Sequence, residues 1–133
     1  MKNTKYYLPK ERYYELVHFC RQYDIWSNAY AHLDSMSLYG ASSHEAVKDI
    51  GNISDPTAKI AEAKVFYSSR MEMLDKASAK CSQNVKIQEL VFKGATKGFS
   101  YDYMSIFNDM PCSRAEYYKA YKKFFKELDK LRR

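Results

Sequence analysis

Positive charge is concentrated at the C-terminal end of this 133-residue chain. Residues 112–133 carry eight lysines and arginines against three acidic residues, so this segment has a net charge of +5 out of +6 for the whole chain. Ammonium and guanidinium groups at this density neutralise phosphates, which is the main sequence-independent source of affinity for nucleic acids. An ordinary surface helix with a solvated lysine face is the alternative. We favour nucleic-acid binding because of the elements that surround this segment.

The apolar residues of the segment recur at helical spacing and define one face of a predicted helix. They are Tyr117, Ala120, Tyr121, Phe124, Leu128 and Leu131. The opposite face presents the basic and aromatic side chains that we predict to bind DNA. These are Arg114, Tyr118, Lys119, Lys122, Lys123 and Lys126. The first three lie near the start of the helix, where a recognition helix contacts base edges, and the last three are placed to contact phosphates.

A capping box predicts where this helix starts. In the sequence Ser113-Arg-Ala-Glu116, the serine hydroxyl and the glutamate carboxylate each accept a backbone N–H of the first turn. Upstream, residues 84–96 form a predicted helix that Gly98 ends, residues 101–107 a short helix, and residues 108–111 a turn that contains proline. This order is the layout of a tri-helical helix-turn-helix, so we predict that the recognition helix, residues 113–131, enters the major groove of double-stranded DNA.

The preceding residues predict a long antiparallel helical hairpin. Four glycines and three prolines are few for a protein built from many short strands. Apolar residues follow helical spacing after Pro9 and again after the capped helix start Asp55-Pro56, and turn-forming residues between these helices indicate a loop at 35–54. We therefore predict an all-α fold, in which the hairpin (1–83) is followed by the C-terminal tri-helical helix-turn-helix (84–133) in a single cooperative unit.

Other classes of protein are not indicated by the sequence. The three cysteines are widely spaced, and His18, His32 and His44 lack the spacing of a zinc site. We find no glycine-rich phosphate loop and no nucleophile motif. We also find no apolar run of the length that a membrane span or a signal peptide needs. We expect a cytoplasmic protein without enzymatic activity, metal, cofactor or membrane association.

Three stretches of the chain resemble the RinA/ArpU-like regulators of bacteriophages and prophages in Gram-positive bacteria. They are Tyr23-Asp-Ile-Trp26, Ser54-Asp-Pro-Thr57, and an ending from Gly98-Phe-Ser-Tyr to Cys112-Ser-Arg-Ala-Glu-Tyr-Tyr-Lys-Ala-Tyr-Lys-Lys-Phe-Phe125. The resemblance implies a C-terminal module similar to region 4 of a bacterial sigma factor, whose last helix binds DNA and activates late phage genes. It implies that the recognition helix carries Ser113, Arg114, Tyr117, Tyr118, Lys119 and Lys122, although periodicity places Tyr117 in the core.

The sequence thus predicts a DNA-binding transcriptional regulator of phage origin that acts in a bacterial host cell. Its N-terminal hairpin would offer a surface to host RNA polymerase. Tyr118 and Phe125 flank the apolar face of the last helix, and if exposed they would serve a homodimer or another protein partner, although we favour simple packing. Two alternatives stay open. One is a phage protein that inhibits a host nucleic-acid enzyme, as anti-CRISPR proteins do, and the other is a packaging adaptor resembling a small terminase subunit.

Overall fold

Six α-helices make up the regular structure in a computed structural model that describes residues 7–40 and 56–133. They are α1 (Lys10–Cys20), α2 (Tyr23–Gly40), α3 (Pro56–Cys81), α4 (Val85–Lys97), α5 (Tyr101–Phe107) and α6 (Arg114–Leu131). No strand occurs within these two ranges. The all-α class predicted from the sequence is therefore confirmed for the described residues. None of their helices is both long and apolar enough to cross a membrane.

The first predicted helix is two helices in the structure. α1 ends at Cys20 and α2 begins at Tyr23, so the prediction of one continuous helix was wrong. Neither glycine nor proline marks this break, but the side chains beside it contact α4. Arg21 Nε donates to the carbonyl oxygen of Ala95 at 3.2 Å, and the Tyr23 ring packs edge-on against Phe92 with ring centroids 4.9 Å apart. Tertiary contacts therefore accompany a break that local sequence does not indicate.

The predicted loop at 35–54 also differs from the structure. α2 continues to Gly40, so the expectation that a loop starts at residue 35 was wrong. The serines that indicated a turn are only moderately poor helix formers, and no proline interrupts the segment. The rest of that predicted loop, residues 41–54, lies outside the described residues. α3 begins at Pro56, as predicted, and the predicted cap residue Asp55 lies outside the described residues.

The chain divides into two compact units. The first contains the residues up to Tyr23 together with Glu72–Arg133, and the second contains Asp24–Met71. Within the first unit, α4 packs against α6, and α1 packs against both. The predicted module 84–133 lies entirely inside the first unit, which also includes α1 and the C-terminal end of α3.

Every helix of the first unit contributes to its core. The buried apolar side chains are Leu16, Phe19 and Cys20 of α1, Leu74, Ala77 and Cys81 of α3, Leu90, Val91 and Ala95 of α4, Met104 of α5, and Tyr117, Ala120, Phe124, Phe125 and Leu128 of α6. α6 supplies the largest of them, and burying one such aromatic side chain stabilises the fold by about 1.5 to 3 kcal/mol. Phe125 is only 1% exposed, so it packs in the core and is not available to a dimer.

The second unit contains most of α2 and the first part of α3. Lys64 Nζ of α3 donates to Asp34 Oδ1 of α2 at 2.8 Å and lies 5.4 Å from the centroid of the Tyr30 ring. The hydrogen bond to Asp34 raises the pKa of Lys64. Trp26 is a buried residue of this unit, with 4% of its surface exposed. The contacts of Lys64 with Asp34 and Tyr30 join α2 and α3 within the unit.

The three cysteines provide a test of the core of the first unit. Cys20 and Cys81 are buried free thiols, whereas Cys112 is half-buried. Desolvation by burial raises the pKa of Cys20 to about 12 and that of Cys81 to about 11. Desolvation and Glu116 also raise the pKa of Cys112, but this thiol is the least buried of the three. Because alkylation needs an accessible thiolate, we expect iodoacetamide at about pH 8 to modify Cys112 at least about tenfold faster than the other two.

Time-resolved peptide mass spectrometry of the native protein measures these alkylation rates. The control is the same reaction in guanidinium chloride, where unfolding should give the three thiols similar rates. Rapid native labelling of Cys20 or Cys81 would contradict the packing described for α1 and α3.

Candidate nucleic-acid interface

The start of α6 is fixed by the predicted capping box. Ser113 Oγ accepts the backbone N–H of Glu116 at 3.2 Å, and Glu116 Oε1 accepts the backbone N–H of Ser113 at 3.0 Å. Backbone N–H groups at this position have no partner within the helix, so both bonds stabilise its first turn. The predicted capping by Ser113 and Glu116 is confirmed, and the helix begins at Arg114.

Aromatic residues hold the N-terminal half of α6 against α4 and α5. The buried Tyr117 hydroxyl donates to the carbonyl oxygen of Leu90 at 3.4 Å. The Tyr101 hydroxyl donates to the carbonyl oxygen of Cys112 at 2.8 Å, and its ring centroid lies 5.6 Å from that of Tyr117. Gly98 ends α4 with a φ of 79°, a left-handed conformation that glycine adopts without steric cost. The three helices of the predicted module therefore meet around the start of α6.

α1 holds the C-terminal half of α6. Arg12 Nε pairs with Asp129 Oδ1 at 2.6 Å, and the Asp129 side chain is only 7% exposed. The Tyr13 and Tyr121 hydroxyl oxygens lie 3.2 Å apart in a hydrogen bond, and the Tyr13 ring packs edge-on against Phe125 at 5.1 Å. Local sequence patterns do not indicate these contacts, because Arg12 and Asp129 are 117 positions apart. The sequence-based prediction therefore missed α1 as a support for α6.

Five lysines form a continuous row on the outer face of α6, and we name this row the lysine stripe. They are Lys119, Lys122, Lys123, Lys126 and Lys130. At about 100° per residue, their spacing places all five within an arc of about 100°, opposite the buried face. Four of them are exposed and Lys126 is half-buried. With a rise of about 1.5 Å per residue, the stripe is about 16 Å long.

A groove runs beside the lysine stripe. Besides the five lysines, its lining includes Cys81 and Ser82 at the end of α3 and Ile87 of α4. Glu116 and Glu127 also line it, and Glu127 pairs with Lys130 at 3.5 Å. Among the described residues, no carboxylate lies within ion-pair distance of the other four lysines. These four ammonium groups are therefore available to a bound anion.

Arg114 lies away from the lysine stripe, whereas Tyr118 lies next to it and lines a depression together with Lys122 and Lys126. The Arg114 guanidinium pairs with Asp102 of α5 and lies over the Tyr101 ring, 5.0 Å from its centroid. Tyr118 is half-buried, and its ring packs edge-on against Tyr121 with centroids 5.7 Å apart. The structure thus brings four of the six residues predicted to bind DNA into the stripe, places Tyr118 beside Lys122 and Lys126, and places Arg114 elsewhere.

No protein-family model, curated protein or solved structure matches the chain.

Lys130 is the member of the lysine stripe that the sequence-based prediction omitted. It follows Lys126 by four residues and Lys123 by seven, so helical spacing alone was a sufficient signal to include it. Its pairing with Glu127 leaves it less available to an anion than the other four lysines.

The side chains that make up the stripe are ammonium groups. Within residues 7–40 and 56–133, no three histidine, cysteine, aspartate or glutamate side chains are grouped to hold a metal ion. Burial raises the pKa of Tyr117 above its ordinary value, so this phenol beneath the stripe stays neutral. What the site offers is a row of ammonium groups on a helix whose other face is core.

Proposed function

We propose that this protein is a DNA-binding transcriptional regulator of phage or prophage origin, and that α6 binds double-stranded DNA through the lysine stripe. The observation that carries the proposal is a row of four lysines without carboxylate partners, three of them exposed and Lys126 half-buried, on one face of a helix whose other face is core. A row of this kind fits a row of phosphates, and it would make binding steeply dependent on salt. The resemblance to RinA/ArpU-like regulators agrees with this function.

The finer architecture that we propose is a helical hairpin followed by a tri-helical helix-turn-helix made of α4, α5 and α6. Two observations support the second part. α4 packs against α6, and Tyr101 of α5 contacts both Tyr117 and the residue before the Ser113 cap. In this arrangement α6 is the recognition helix and enters the major groove. Lys119 then lies nearest the base edges, and the other stripe lysines contact phosphates.

The test of this function is a mobility-shift titration with a specific and a random duplex at two salt concentrations. We expect binding to both duplexes at low salt, with an affinity that falls as a power of the salt concentration. Absence of binding to any duplex at low salt would overturn the proposal. Light scattering on the same samples tests the packaging-adaptor alternative, because a ring assembly would have many times the mass of one chain.

Arg114 has a smaller part in binding than the sequence alone predicts. Because its guanidinium is engaged by Asp102 and Tyr101, we expect Arg114→Ala to weaken duplex binding by less than about threefold. Lys122→Ala, which removes one phosphate contact, should weaken it about eightfold at about 0.1 M salt. Mobility-shift titrations of both variants compare these losses. A larger loss for Arg114→Ala, confined to one duplex sequence, would restore Arg114 as a base-contacting residue.

A second candidate function, inhibition of a host nucleic-acid-handling protein or contact with RNA polymerase, is favoured by the surface of α5. Its outer side exposes Tyr103, Ile106 and Phe107, and the last two are 74% and 68% exposed. Neighbouring exposed apolar residues of this size are typical of protein-binding surfaces. Pull-down of host proteins with the native chain and with Ile106→Ser tests this candidate. Loss of a captured polymerase subunit in the variant would support it.

A further inference from the structure

A second depression lies on the other side of Lys122 and Lys126, and we name it the aromatic pocket. Its lining consists of Leu8, Tyr13, Tyr118, Tyr121 and Phe125 together with these two lysines. Its volume is about 530 Å³, within the range of small-ligand sites. All of these residues belong to the first unit. The pocket and the groove beside the lysine stripe therefore share Lys122 and Lys126 as a common rim.

The rings of the aromatic pocket are packed against one another at fixed angles. Tyr121 lies between Tyr118 and Phe125, with centroid distances of 5.7 and 5.0 Å, and Tyr13 closes the far side against Phe125 at 5.1 Å. Phe125 is buried, but the three tyrosines each keep part of their surface exposed. Partly exposed aromatic rings held in place by a core are the features on which nucleobases stack.

The polar groups of the pocket fit a base attached to a phosphate. Tyr13 and Tyr121 share one hydrogen bond, so a second hydroxyl hydrogen is left for an acceptor on a ligand. Burial and the bond to Tyr13 raise the pKa of Tyr121, so its hydroxyl stays neutral beside an anion. Lys122 and Lys126 at the rim carry the charge that complements a phosphate.

We propose that the aromatic pocket binds an unpaired nucleobase of a single-stranded nucleic-acid segment whose phosphates lie on Lys122 and Lys126. This inference rests on the proposed function of the lysine stripe, because the two sites share those lysines. Bases inside a duplex are stacked and cannot enter the pocket, so the ligand is an overhang, a flap or a strand opened next to bound duplex.

The experiment measures fluorescence anisotropy of the full chain with four labelled probes. These are a blunt duplex, the same duplex with a thymidine overhang, a single-stranded oligothymidylate and a single-stranded oligouridylate. We expect the overhang to tighten binding about tenfold over the blunt duplex, and Tyr118→Ala to abolish that gain while changing blunt-duplex binding by less than about twofold. Tyr118→Phe keeps the stacking ring and should retain the gain. Tyr14→Ala, which removes an exposed tyrosine outside the pocket, is the matched control.

The outcomes separate the pocket from the lysine stripe. If the blunt duplex does not bind but the oligonucleotides bind in a Tyr118-dependent way, the proposed duplex function fails and the pocket proposal stands. If the overhang adds no affinity, or if Tyr118→Ala weakens blunt and overhang duplexes equally, the pocket proposal is overturned. If oligothymidylate binds more tightly than oligouridylate, the ligand of the pocket is DNA, and the reverse order shows that it is RNA. Equal Tyr118-dependent binding of a phosphotyrosine peptide would assign the pocket to a protein partner and overturn the proposal.

Discussion

Replacement of four stripe lysines by glutamine is expected to weaken duplex DNA binding about a thousandfold at about 0.1 M salt. The variant carries glutamine at Lys119, Lys122, Lys123 and Lys126. Each lysine–phosphate contact contributes about 0.9 to the slope of log affinity against log salt concentration, which corresponds to about eightfold in affinity at this salt concentration. The losses at Lys122, Lys123 and Lys126, which contact phosphates, multiply to about 500-fold, and the loss of Lys119 at the base edges brings the total to about a thousandfold. The slope itself should become shallower by about 3. Anisotropy titrations with a random duplex at several salt concentrations measure both quantities.

A matched control distinguishes the lysine stripe from net charge. Glutamine at four exposed lysines of α3 and α4 removes the same charge from other surfaces. The four are Lys59, Lys76, Lys86 and Lys97. Since long-range attraction between exposed charges is screened beyond about 10 Å at this salt concentration, we expect the control to lose less than about tenfold in affinity. Equal losses in the two variants would show that binding follows total charge, and the stripe would lose its special role.

Features set by local sequence could be predicted well for this chain. The capping box of Ser113 and Glu116 uses groups three residues apart, and Gly98 ends α4 through its own backbone conformation. The lysine spacing on α6 likewise needs only the helical period, and Lys130 could have been included on the same grounds. Each of these features depends on interactions within one helix, which sequence distance describes directly.

Features set by tertiary contacts could not be predicted. Nothing near residue 21 breaks a helix by its intrinsic propensity, yet α1 ends there, where Arg21 bonds to α4. Helical periodicity alone places Arg114 on the predicted binding face, because it does not take into account the ion pair with Asp102 of α5. The place of α1 in the first unit likewise reflects contacts between distant positions, since its Arg12 pairs with Asp129 near the other end of the chain.

Gly94 is the position where sequence and structure make opposite predictions about stability. It lies within α4, and in a helix interior alanine is more favourable than glycine by about 1 kcal/mol, so sequence alone predicts that Gly94→Ala stabilises the protein. In the structure, a Cβ atom at Gly94 would overlap the Tyr117 hydroxyl oxygen and would lie 3.3 Å from the carbonyl oxygen of Phe99. Tyr117 is 1% exposed, so its ring has no free space to enter.

We therefore expect Gly94→Ala to lower the free energy of unfolding by about 2 kcal/mol, within the range for overpacked cores. Urea unfolding followed by circular dichroism measures this change. The variant Tyr117→Phe removes the hydroxyl that overlaps the new Cβ atom, and in that background Gly94→Ala should be close to neutral. The coupling energy between the two substitutions would then be about 2 kcal/mol, which is large for a contact pair.

Tyr101→Phe is the matched control, because it removes a hydroxyl that bonds to Cys112 and that does not contact Gly94. In the Tyr101→Phe background, Gly94→Ala should keep its full cost. If Gly94→Ala has the same cost in the wild type, in Tyr117→Phe and in Tyr101→Phe, the strain lies at the Phe99 carbonyl oxygen and not at the Tyr117 hydroxyl.

The contact between Gly94 and Tyr117 also joins α4 to α6, so Gly94→Ala should disturb the lysine stripe. We expect the Gly94→Ala variant to lose duplex affinity, and the double variant with Tyr117→Phe to recover it.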